Sequence, residues 1–144
     1  RRDRAAAIVF IAGGTLEEEV LAHLDHDPEA LRVTDVAVSD ERLLTAIPTE
    51  LAVYRPGATL VTFAAPCVIR GRNTPHLVIQ GQTGPVTILL LPEEPVAEVI
   101  TLDGENVHGL IVPSGAGSIA IIGSREEALE PIRDDLFESL TWTT

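Results

Sequence analysis

A chain of 144 residues is long enough to bury a core of its own, and 45% hydrophobic residues exclude a disordered polypeptide. Twenty-two acidic residues against ten arginines and no lysine leave a net charge of −12, which repels phosphate and excludes nucleic acid and anionic membrane surfaces as partners of the domain body. Aromatic residues make up 3%, so Val, Ile, Leu and Ala must fill the interior.

In chain order, Arg1-Arg2-Asp3-Arg4 precede an apolar run from Ala5 to Ala12. Residues 1–14 read as a basic and apolar leader. The run is far short of the ~20 residues that span a bilayer. Arginines ahead of apolar residues match the cytoplasmic flank of a membrane helix, and they equally suit an ordinary first strand or helix start. Residues 15–144 read as one domain.

Thr15 and Glu18 form a capping-box pattern, and Leu16, Val20 and Leu24 recur on one helical face. This predicts a helix ending near Asp25 or His26. Asp27-Pro28 opens a short turn through Leu31. Residues 33–38 read as a short strand. Ser39 caps a helix over Asp40–Ile47 that Pro48 stops.

From Leu51 the pattern changes to short β-rich runs separated by turn residues. Strands are predicted at 51–54, 58–64, 67–70, 76–80, 85–91, 97–101, 107–112 and 118–122, with links short enough for antiparallel hairpins. The 85–91 run is apolar on both faces apart from Thr87, which predicts a central strand. Ser124 and Glu127 form a second capping-box pattern, opening a helix to Leu140 with Leu129, Ile132, Leu136 and Leu140 as its buried stripe. Pro131 falls inside that pattern and predicts a kink or a later start. The fold class is therefore α+β: N-terminal helices, an antiparallel β-meander sheet, and a C-terminal helix packed on one sheet face.

Candidate chemistry concentrates on Cys67, the single cysteine, and the histidines. One cysteine allows no internal disulfide and says nothing about compartment. With a loop at 70–75, Ile69 faces His76 and Cys67 faces Val78, so Cys67 and His76 are diagonal neighbours on one face. A thiolate and an imidazole so placed suit a shared transition metal, with a third ligand from His23, His26 or His108. They equally suit a buried small residue beside a hydrogen-bonded histidine. His23 and His26, at i and i+3, come to one side of the first helix. Arg70 and Arg72, with Asn73, crown the hairpin and suit a carboxylate or phosphate ligand, or a solvated tip. Asp103, His108 and Ser114 or Ser118 lack a nucleophile elbow, and no residue is assigned a catalytic role. Gly115 to Ser118 leads into a strand, so it reads as a hairpin turn and not a phosphate loop.

The run Val20 to Leu31 (VLAHLDHDPEAL), the segment Cys67…Gly71…Pro75-His76 to Gln80, Gly84 to Pro92 (GPVTILLLP) and Gly115 to Gly123 (GAGSIAIIG) resemble the uncharacterised bacterial family DUF3379. The likeness runs from about residue 16 to the C-terminus. It implies a single-pass membrane protein with this domain on the periplasmic face of a bacterial inner membrane, held through an N-terminal anchor and soluble when separated from it. It also implies a sensing or anti-sigma-like regulatory role. The family's His-x-x-His and Cys…His positions fall on His23, His26, Cys67 and His76.

These readings converge on a non-enzymatic sensor or regulatory domain that binds a metal, a small ligand or a protein partner. Cys67 and His76 lead the candidate ligands, then His23 and His26, with Arg70 and Arg72 as secondary contacts. A Cys/His-dependent redox or metal-dependent enzyme is the alternative. A structural assembly module, using a sheet edge or the acidic helices, is the second.

Overall fold

The computed structural model describes residues 15–24 and 28–143, the side chains of residues 28 and 29 excepted. The leader at 1–14 and the candidate ligand His26 lie outside the described residues.

Helix α1 spans Leu16–His23. Its start is the capping box the sequence predicts: Glu18 N–H donates to Thr15 Oγ1 at 3.1 Å, and Thr15 N–H donates to Glu18 Oε1 at 3.0 Å. A 3-10 turn at Pro28–Leu31 leads into an irregular stretch over residues 32–39, where a strand was expected. That stretch touches the sheet through the Val38 N–H, which donates to the Val61 carbonyl at 2.9 Å. Ser39 then caps α2, Asp40–Ala46.

Eight strands follow among the described residues: β1 Ala52–Tyr54, β2 Val61–Ile69, β3 Arg72–Gln80, β4 Pro85–Leu91, β5 Ile100–Gly104, β6 Val107–Ser114, β7 Gly117–Ser124 and β8 Leu140–Trp142. Six form one antiparallel sheet in the order β2-β3-β4-β7-β6-β5, and β1 pairs with β8 in a separate ribbon. The sheet is therefore two three-stranded meanders joined along β4 and β7, not one continuous meander. Both of these strands are buried on both faces along nearly their whole length, as the apolar run of β4 requires. The fold is α+β.

Each sheet face has its own cover. On one face, Ala46 and Ile47 from the end of α2, and Leu129 and Leu136 from the C-terminal helix region, pack against Leu77, Ile88, Leu90 and Ile121. On the other, Val20 of α1 packs against Ile69, Leu89, Ile111 and Ile122.

The C-terminal helix α3 covers Glu130–Ser139 with Pro131 in its first turn, where a missing N–H costs nothing. The expected Ser124/Glu127 capping box does not form there. Ser124 ends β7, and the Glu127 carboxylate instead accepts hydrogen bonds from the Gln82 N–H at 2.9 Å, the Thr83 N–H at 2.8 Å and the Thr83 hydroxyl at 2.8 Å. Leu140, read as the last of the helical stripe, begins β8 instead.

Candidate metal centre

The centre is built on the β2–β3 hairpin. Its turn is two residues long, Arg70-Gly71, with both φ values positive at 55° and 77°, and it closes on the pair Ile69/Arg72. That is type I′ geometry, which matches strand twist. The loop expected at 70–75 is therefore mostly strand, and the register moves by four residues: Cys67 lies opposite Thr74, and His76 opposite Ala65.

Two prolines face each other within this hairpin, Pro66 opposite Pro75. Hydrogen-bonded and non-hydrogen-bonded pairs alternate outward from the turn. Ile69/Arg72, Cys67/Thr74 and Ala65/His76 take the bonded positions, so the proline pair falls where no cross-strand N–H is needed. Pro75 also lies just beyond the β3–β4 ladder, whose register begins at His76/Leu89. Neither proline therefore breaks a ladder, and both prolines are tolerated.

Side chains alternate along a strand, so Thr74, His76 and Cys67 share one face. It is the face that α1 covers. Cys67 Sγ lies 3.7 Å from His76 Nδ1. His23, the last residue of α1, presents its ring edge-on to His76, with centroids 5.2 Å apart and planes at 65°. The ligand atoms of His23, Cys67 and His76 all lie within 4.8 Å of one another. Phe63 also packs against His76, with ring centroids 5.1 Å apart and planes at 60°. His76 is buried, and Cys67 and His23 are half-buried.

Residues 5–140 match the family model described as "Protein of unknown function (DUF3379)". The chain belongs to this family. No curated protein and no solved structure matches it.

In this DUF3379 chain the donor set is one thiol and two imidazoles, the set borderline and soft transition ions take. Metal bonds of ~2.3 Å to sulfur and ~2.0–2.1 Å to imidazole nitrogen put two such ligands about 3.3–3.8 Å apart at tetrahedral or trigonal angles. The Cys67–His76 separation already meets that, and a side-chain shift of about 1 Å brings His23 within it. Two ligands come from adjacent strands of a packed sheet and one from a helix end.

Arginines and carboxylates ring the hairpin end of the DUF3379 sheet. Arg70 Nε lies 3.1 Å from Glu94 Oε2, and Arg70 Nη1 lies 3.7 Å from Glu19 Oε2 of α1. Arg72 reaches Glu93 at 2.7 Å and Glu94 at 3.7 Å. The predicted ligand-binding arginines thus face carboxylates of their own chain. Glu19, Glu93 and Glu94 meet Arg70 and Arg72 only through tertiary structure, which no local pattern announces. Phe63 was also missed, because one aromatic residue in a strand carries no signal of its own.

The other candidates are dispersed. His108 lies on the opposite sheet face, and its Nε2–H donates to the Glu127 carbonyl at 2.9 Å. Asp103 pairs with Arg125 at 2.7 Å, Ser114 accepts from Trp142 Nε1–H at 2.8 Å, and Ser118 donates to the Glu94 carbonyl at 2.7 Å. No hydrolase triad assembles from them. No helix among the described residues is long and apolar enough to cross a membrane.

Proposed function

We propose that this chain is a non-enzymatic regulatory domain that senses a transition-metal ion, bound by Cys67 and His76 of the hairpin and His23 of α1. The observation that carries the reading is the convergence of three ligand atoms within 4.8 Å of one another from three separate elements, β2, β3 and α1. Zinc and monovalent copper both accept a thiolate with imidazoles. Native mass spectrometry of protein purified without chelator, with metal analysis of the same sample, tests it. One ion per chain is expected, lost in Cys67→Ser and in His76→Ala while circular dichroism stays unchanged. An apo mass that persists after zinc and copper(I) are added sinks the proposal. The 3.7 Å thiol–imidazole pair would then support the Cys/His enzyme reading.

The same proposal puts the domain on the periplasmic side of a bacterial inner membrane, tethered through an N-terminal anchor. Its support is the family resemblance. In a full-length gene fusion, alkaline phosphatase joined after residue 144 is expected to be active. An inactive fusion, with a cytoplasmic reporter active at the same position, overturns the placement.

A further inference from the structure

We infer that the bound ion is a clasp that holds α1 on the sheet, so that metal occupancy sets whether the apolar face beneath the helix is covered. This rests on the metal reading above and adds what the metal does.

Two of the three ligands sit on the rigid part of the molecule. His76 lies on β3, an interior strand of the large sheet, and is 3% exposed. Cys67 lies on the strand paired to it. The third ligand sits on a short helix laid over the sheet. Helix α1 has eight residues, and isolated helices shorter than about 12–15 residues are marginal in water. Its docking must come from tertiary contacts. Among the described residues these include Val20, fully buried, the half-buried Leu16, Leu21 and the capping Leu24, the edge-on contact of His23 with His76, and the ion pair of Glu19 with Arg70. That pair is 3.7 Å long with side chains 28% and 35% exposed, so solvent screens it.

An ion held by Cys67, His76 and His23 binds the docked state with three ligands and the undocked state with two. That difference in affinity is what lets a ligand shift a two-state equilibrium. At saturation the ion raises the docked-to-undocked ratio by the factor by which its three-ligand affinity exceeds its two-ligand affinity. Loss of the ion frees the end of α1 that lies over the hairpin. Ile69, Leu89, Leu102, Ile111 and Ile122 lie on the face the helix covers.

Hydrogen exchange of the full chain, with and without one equivalent of zinc, tests this. Amides of residues 19–23 are expected to exchange at least ~10-fold more slowly with zinc, while those of β4 and β7 are unchanged. His23→Gln is expected to retain zinc more weakly through Cys67 and His76 and to lose the zinc-dependent protection of α1. Stoichiometric zinc with identical α1 exchange in both states overturns the clasp and leaves the metal-binding proposal standing. Failure of the wild-type chain to take up zinc or copper(I) overturns both.

Discussion

Replacing Gly117 with alanine should cost about 3 kcal/mol of stability, read from the urea midpoint at an unchanged m-value. A Cβ at this position meets the Leu91 carbonyl oxygen, and it lies 2.9 Å from the Glu93 nitrogen and 3.0 Å from the Pro92 Cα. All three are backbone atoms, so no rotamer change relieves the contact. The start of β7 must move away from the end of β4, along the line where the two halves of the large sheet join. Leu91 pairs with Ser118 there, and the Ser118 hydroxyl holds the Glu94 carbonyl at 2.7 Å. Both contacts are strained together. A loss under about 1 kcal/mol would mean that the sheet yields easily at this corner.

Glu127→Ala should cost about 2 kcal/mol at neutral pH, because a buried, charged acceptor of three hydrogen bonds is removed. Gln82 and Thr83 are exposed, so water can replace part of what their N–H groups lose. The effect carries a pH signature. Burial pushes the Glu127 carboxyl upward, but the Thr83 and Gln82 N–H groups, the Thr83 hydroxyl and the nearby His108 outweigh it and hold the carboxyl below its ordinary value. A carboxyl lowered in the folded state stabilises fully above the unfolded-state value of about 4.3, and that stability disappears as pH falls through the folded value. Urea titrations of wild type and variant at pH 7 and pH 3 should therefore show the gap narrowing at the lower pH. An equal gap at both would mean that the carboxylate charge is irrelevant to the clamp.

What was legible in the sequence is what is encoded locally. Thr15 with Glu18, and Ser39, marked helix starts because capping acts over three residues. The apolar run at 85–91 marked a central strand because both faces of it are covered. The shared face of Cys67 and His76 survived a wrong register because side-chain period is two, and a shift of four residues returns each side chain to its original face. The register itself was hidden by Pro75, which argues against a strand until its partner is known to be Pro66. The β4–β7 pairing joins residues such as Thr87 and Ile122, and no short-range pattern specifies it. Glu127 resembled a helix cap because its true donors, Gln82 and Thr83, lie across the sheet. His23 was placed with His26 on one side of its helix, but nothing local said that this side would land over the hairpin.

The facing prolines have a further consequence, for how the sheet meets other chains. Strand β2 is one border of the large sheet, and at Pro66 it has no N–H to offer outward. Near its start the Val61 carbonyl is already taken by the Val38 N–H. The opposite border, β5, is five residues long, and Arg125 occupies both the Asp103 carboxylate and the Gly104 carbonyl at its end. Neither border presents an uninterrupted ladder on which a foreign strand can template. Strand addition, the commonest route to sheet-mediated aggregation and to β-augmented complexes, is blunted at both ends.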